Sequence, residues 1–277
     1  MLNKTGNVQT FLGCTADYAD ADIVIFGAGY DGTTSNRPGS RFAPSTMRAE
    51  SWGLESYSPY LEHDLEDCKI YDAGDLELYG RSPAAMLEIV EAVADEIAAD
   101  GKIPLMIGGE HLVTLGAVRA LAKRHPDLHI IHFDAHADLR QDYLGEELSH
   151  ATVMRRCYDI VGAGRIFQVG IRSGTRDEFE FKLKQLAQSL DGFMEKPVYF
   201  TLDLDVLDPS IMAGTGTPEA GGMTFLELLN DIVHLKNFNI VGADVVELAP
   251  NYDPSGVSAA TACKILRELL LTLQGGN

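Results

Sequence analysis

Seven short apolar runs constrain the fold of these 277 residues more than any other feature. They are ADIVIFG (21–27), KIYDAG (69–74), IPLMIGG (103–109), HIIHFDAH (129–136), RIFQVGI (165–171), PVYFTLDLD (197–205) and FNIVGADVVEL (238–248). They show little of the apolar–polar alternation of a half-exposed strand, so both faces must be covered. Helical spacing of apolar residues marks 83–101, which stops at Gly101, and then 112–125, 224–235 and 257–273. Strands alternating with helices predict an α/β fold, a parallel sheet with helices on both faces. No long linker, repeat or low-complexity run interrupts the pattern, which points to one domain over 1–277. Residues 28–68 and 206–222, rich in Gly, Pro and Ser, read as long loops, and loops of that length often carry function.

Several classes are disfavoured. The formal charge is −19, and only the isolated pairs Lys123-Arg124 and Arg155-Arg156 set basic residues side by side, so no nucleic-acid partner is expected. Such a surface favours solubility and attracts cations, whether metals or a positively charged substrate. No run approaches the roughly 20 apolar residues of a membrane span. The start, MLNKTGNVQTFLGC, lacks the apolar core of a signal peptide. Cys14, Cys68, Cys157 and Cys263 lie far apart without metal-type spacing, which predicts reduced, mostly buried thiols in a cytoplasmic protein. Gly27, Gly29 and Gly32 have the form of a dinucleotide fingerprint, but TTSNRP (33–38) breaks the helix that should open there. A turn-forming loop is expected, with no NAD.

The chemistry gathers at strand ends. HIIHFDAHADLR presents Asp134, His136 and Asp138 at every second position, on one face if the strand continues that far. PVYFTLDLDVLDP adds Asp203 and Asp205, and MIGGEHL ends a strand with Glu110 and His111 at a helix start. Carboxyl ends of parallel strands are where α/β sheets place their sites. Asp208, before Pro209, reads as a turn former, and Glu110 as a capping or supporting group. His63, His125, His129, His132 and His234 read as packed or hydrogen-bonded residues. Convergent acids without countercharge would repel one another and resist burial, and a metal centre removes the conflict. Two His and four Asp exceed a four-ligand structural zinc site and suit two divalent ions. The oxygen-rich donor set favours Mn²⁺.

GGEH (108–111), DAHAD (134–138), SH (149–150), DLDVLDP (203–209) and VVEL (245–248) together resemble the ureohydrolases, the arginase and agmatinase family, in order and spacing from about residue 20 to the last helix. GTTSNRPGSRFAPSTMR (32–48) and GTGTPEAGG (214–222) resemble the agmatinase branch. The resemblance implies a three-layer α/β/α, arginase-like fold around a mostly parallel sheet of about eight strands, assembled as trimers or hexamers. It implies two Mn²⁺ ions activating a bridging hydroxide. His111, Asp134, Asp138 and Asp205 would hold one ion, and Asp134, His136, Asp203 and Asp205 the other. Asp138 would pass a proton to the leaving amine, His150 would shuttle protons or contact substrate, and Glu247 would hold the guanidinium. The stretch LRQDYLGEELSHA (139–151) departs from the arginase pattern that reads an amino-acid end, and Ala151 stands where relatives carry Gly. Agmatine, hydrolysed to putrescine and urea, is therefore the expected substrate. Arg37, Arg41, Arg140 or Arg172 could instead serve a carboxylate tail, which keeps a guanidino-acid hydrolase such as a guanidinobutyrase open. A different dinuclear metallohydrolase and a non-catalytic member of the fold are the remaining alternatives.

Overall fold

In the computed structural model, which describes residues 9–275, every residue of the first long strand is buried. The chain runs β1 (Ile23–Ala28), α1 (Ala43–Ser51), β2 (Tyr57–Ser58), β3 (His63–Asp64), β4 (Ile70–Asp75), α2 (Pro83–Ala99) and β5 (Ile103–Gly108). It continues through α3 (Thr114–Arg124), β6 (His129–Phe133), α4 (Val153–Val161), β7 (Ile166–Val169), α5 (Arg176–Gln185) and β8 (Pro197–Asp203). Last come α6 (Phe225–His234), β9 (Asn239–Val246) and α7 (Val257–Gln274). The first eight residues, part of the stretch read for a leader core, lie outside the described residues.

The central sheet has the order β4-β1-β5-β9-β8-β6-β7, and each of its pairings is parallel. It has seven strands, not the eight that the resemblance implied. The short strands β2 and β3 pair only with each other, antiparallel, so they add no eighth strand to the sheet. Alternate residues feed opposite layers. Ile23, Ile25, Leu105, Ile107, Phe200 and Leu202 pack with Met47 of α1, Leu228 of α6 and Leu266 of α7. Val24, Phe26, Met106, Ile130 and Tyr199 pack with Met86 and Leu87 of α2, Leu115 of α3 and Met154 of α4. Both strand faces are thus apolar, which is why the strands read as continuous runs.

Local signals explain the helix ends. Ser82 accepts from Ala85 N at the start of α2, and Gly101 follows its end at φ 74°. All four cysteines are free and buried. His129 Nδ1 bonds Asp127 O and His234 Nδ1 bonds Asn230 O, as packed histidines should. Residues 206–222 do form a loop, and Asp208 organises it by accepting from Ser210 N and Gly221 N.

Residues 28–68 are not one loop, because α1 lies inside them. Its buried face carries Arg48 and Ser51 beside Ala43, Pro44 and Met47, so no apolar stripe announces it. The Arg48 guanidinium pairs with Asp72 at 2.8 Å and with Asp75, and Asp72 also accepts from Phe11 N. This ion pair ties α1 to β4 and to the N-terminal segment. Removing one partner leaves a buried charge, which costs about 3–5 kcal/mol. Arg48→Met should lower the unfolding free energy measured in urea by that amount, and adding Asp72→Leu should restore much of it; equal losses in the single and double variants would contradict this account.

Candidate metal centre

Four adjacent strands, β5, β9, β8 and β6, deliver the site from their carboxyl ends. Strands β6 and β9 stop just before their acidic positions, at Phe133 and Val246, and β8 ends on one, Asp203. Asp134, His136 and Asp138 therefore do not share a face of one strand. The chain turns after Phe133 instead, with Ala135 and Ala137 wholly buried and Asp138 left-handed at φ 53°. The turn fits because Gly170, at φ 86°, lets the chain after β7 pass; a Cβ there would lie 2.9 Å from Asp134 O. Asp138 and Glu247, at φ 67°, are two of five described non-glycine residues with positive φ. Such strain marks places where surrounding structure overrides local preference.

His111 opens the turn that leads into α3 and is 1% exposed. A two-bond relay fixes its ring. The Thr201 hydroxyl donates to Asp244 Oδ1 (2.6 Å), so its oxygen accepts from His111 Nε2 (3.0 Å). Nδ1 is then a buried lone pair with no hydrogen-bond donor. It lies 3.1 Å from Asp134 Oδ2, 3.3 Å from Asp138 Oδ2 and 3.5 Å from Asp203 Oδ2. Burial pushes the His111 pKa down, but the three carboxylates outweigh it and raise it. A proton brings one charge to three acids, whereas a divalent cation brings two and takes the lone pair as well. On the other side, His136 Nδ1 lies 2.9 Å from Asp205 Oδ2 and 3.5 Å from Asp134 Oδ1. Asp134 thus belongs to both groups. The structure sets Asp203 beside His111 and Asp205 beside His136, whereas the resemblance gave Asp205 to both ions and Asp203 to that of His136 alone. Asp205 is drawn away because its Oδ1 accepts from Ala135 N (3.0 Å).

Electrostatics separate the acids. Burial and then the Asp134 charge push Asp138 up to about 7. Burial likewise raises Asp203, Asp205 and Glu247. Burial would raise Asp134 too, yet His111, His132 and His136 together hold it well below the carboxylate range.

A pocket of about 240 Å³ opens over the cluster, with His136, Asp138, Asp203, Tyr143, His150 and Glu247 in its wall. Glu247 is anchored by His111 N, which donates to its Oε1 (2.7 Å), and its own N bonds Gly109 O. His150 begins a short 3₁₀ turn capped by Ser149, as a helix-start residue, yet it also faces the pocket. Burial pushes His150 down to about 4, so it is neutral at pH 7. Its N–H donates to Thr33 Oγ1 (3.1 Å), and that hydroxyl donates to Glu110 Oε1 (2.6 Å). Glu110 makes no cap; it is a fully buried support that also accepts from Thr33 N and Thr34 Oγ1. Thr33, Thr201, Asp244 and Arg172 were not singled out as supports. Asp244 sits inside an apolar strand run, and only its partners Thr114, Tyr199 and Thr201 explain it. Arg172 gives its guanidinium to the carbonyls of Gly170, Asp205, Val206, Leu207, Glu219 and Ala220, clamping the Asp205 turn.

The Arginase family model matches residues 21–272. The agmatinase of Bacillus subtilis (strain 168) is 45% identical, with 95% of this chain and 96% of that protein aligned. The guanidinobutyrase of Pseudomonas aeruginosa is 32% identical over 92% of this chain and 87% of that one. A solved Clostridium difficile structure superposes with a TM-score of 0.89 at 49% identity, covering 94% of this chain and 99% of that chain. With this fold, this cluster and these relatives, the chain belongs to the arginase family.

Proposed function

We propose that this chain hydrolyses agmatine to putrescine and urea at a centre of two divalent cations, Mn²⁺ being the ions its oxygen-rich donors suit. The observation that carries the reading is the His111 Nδ1 lone pair, buried against three carboxylates beneath a pocket with Glu247 in its wall. His111, Asp134, Asp138 and Asp203 would surround one cation, and Asp134, His136 and Asp205 the other. Bound cations supply a water whose pKa is low enough to act as nucleophile at neutral pH.

The chain does the rest. Glu247 offers its carboxylate to the planar guanidinium, whose charge offsets the cost that burial places on the acid. Asp138 lies at the cluster and carries the proton toward the departing amine. Neutral His150, held by Thr33 and Ser149, is the acceptor and donor on the opposite wall. Four buried free thiols support a reducing, cytoplasmic setting. Assembly as trimers or hexamers rests on the family resemblance.

One observation favours a second reading, a guanidino-acid substrate. Of the four arginines considered, Arg172 is spent on carbonyls, Arg41 pairs with Asp31 at 3.0 Å, and Arg37 stacks 4.1 Å over Tyr252. Arg140 alone lines the pocket, 3.6 Å from Glu178 Oε2 and 5.0 Å over the Tyr143 ring. A carboxylate tail would need it, and an ammonium tail would not.

A urea-release panel with Mn²⁺ should favour agmatine over arginine, guanidinobutyrate and guanidinopropionate. Arg140→Gln should then keep or lower the KM for agmatine, and loss of turnover on a preferred guanidino acid would install the second reading. His150→Asn should cut kcat by about 10²–10⁴-fold with full metal content; an unchanged kcat would remove the histidine from proton transfer. For metal-stripped protein, the raised Asp138 pKa is a penalty present when the acid is ionised. Asp138→Asn should therefore raise Tm above about pH 7, with the gain fading as pH falls through the folded pKa toward the ordinary value of 3.8. Saturating Mn²⁺ should reverse the sign, and a loss of Tm in the stripped protein at pH 8 would refute the repulsion argument.

A further inference from the structure

Strand β7 supplies none of the residues placed around the cations, yet Gln168 on it is nearly buried and faces the ligand turn. Gln168 is the direct cross-strand partner of His132 on β6. Its Nε2 lies 2.8 Å from Ala137 O and 2.9 Å from His132 Nδ1. A carbonyl only accepts, so this end of the amide is the NH₂; a flipped amide would press Oε1 against Ala137 O. One N–H goes to Ala137 O, and the other reaches the Nδ1 lone pair of His132. The imidazole must then carry its hydrogen on Nε2, which lies 2.8 Å from Asp134 Oδ2. Asp134 is the carboxylate common to the His111 and His136 groups.

We propose that Gln168 is a positioning residue of the centre, setting the His132 tautomer that donates to Asp134 and holding the Ala137 carbonyl between His136 and Asp138. This rests on the two-cation reading for its purpose, though not for its geometry. His132 itself is excluded as a ligand by the same bonds, because its Nε2 lone pair is replaced by N–H. Two anchors of the ligand turn thereby come from one amide. The first is the direction of the Asp134 carboxylate, fixed by His132 Nε2 at 2.8 Å. The second is the backbone just before left-handed Asp138. Partners of this kind typically govern metal affinity by about 10–100-fold.

A core-filling glutamine and a positioning glutamine make different predictions. Gln168→Met keeps the shape and loses both donors. Gln168→Glu keeps the shape and puts an acceptor against His132 Nδ1, which draws the hydrogen to that nitrogen. Long-range ¹H–¹⁵N NMR of the metal-stripped protein reads the tautomer, and chelator competition reads Mn²⁺ affinity. The expected results are Nε2–H at His132 in the parent, Nδ1 protonation in Gln168→Glu, and about 10–100-fold weaker Mn²⁺ in both folded variants. Nδ1–H in the parent overturns the proposal even if no variant folds. Unchanged affinity and tautomer in folded variants overturn it equally. Activity on agmatine is not read at all, so a different substrate leaves the result standing. A parent that binds no Mn²⁺ would overturn the two-cation reading, and the tautomer in Gln168→Glu would still decide this one.

Discussion

Mutual repulsion among buried acids is the constraint on which the rest of the site depends. Asp134, Asp138, Asp203 and Asp205 are all under 9% exposed and crowd around two imidazoles. Left without cations, the fold carries this crowd as a cost, visible in the upward push on three of the four. The sheet tolerates it because the cost is borne at the ends of strands whose interiors are mostly apolar and whose buried polar residues, such as Thr201 and Asp244, are hydrogen-bonded. The supports then follow a single rule: every group behind the acids points a donor forward. Ala135 N serves Asp205, Asp205 N serves Asp203, His111 N serves Glu247 and His132 serves Asp134. Oriented donors of this sort both fix the acids and keep them charged for a cation to find.

Much of this was legible from residue order alone. Runs such as PVYFTLDLD have both faces apolar because α2 and α3 lie on one side and α6 and α7 on the other. The acids at their ends stand out because they gather there while the body of each run is mostly apolar. Helix α1 was hidden for the opposite reason. Its inward face is an arginine satisfied by acids from β4, so local apolar periodicity is absent where long-range pairing takes its place. Helix α5 is a similar case, since its one buried residue is Glu178, which closes its own capping box. The eighth strand expected from family resemblance is absent from the central sheet.

Within the site, the residues that touch the pocket could be named, and those that hold them could not. Asp244 looks like an interruption in a strand until Thr201 and His111 are seen beside it. Arg172, a candidate for a substrate carboxylate on charge alone, proves to be fully occupied by carbonyls. A donor's partner is decided by which strands become neighbours, and that is a property of topology rather than of spacing along the chain. The same limit applies to the face-sharing expected of Asp134, His136 and Asp138: their types were informative, their strand was not, because β6 ends at Phe133.

The neighbour relations of β5, β9, β8 and β6 carry a kinetic consequence. His111, Asp134, Asp203 and Glu247 meet only after strands far apart along the chain have paired, as Leu105 with Ala243 and Phe133 with Leu202. Closing such long loops is slow and is repaid only late in folding. An unfolded chain therefore offers cations only the short separate clusters of Asp134–Asp138 and Asp203–Asp205 and no assembled pocket. Metal capture becomes a report that the middle of the sheet has closed, and bound ions hold the finished topology against opening rather than guiding the chain toward it.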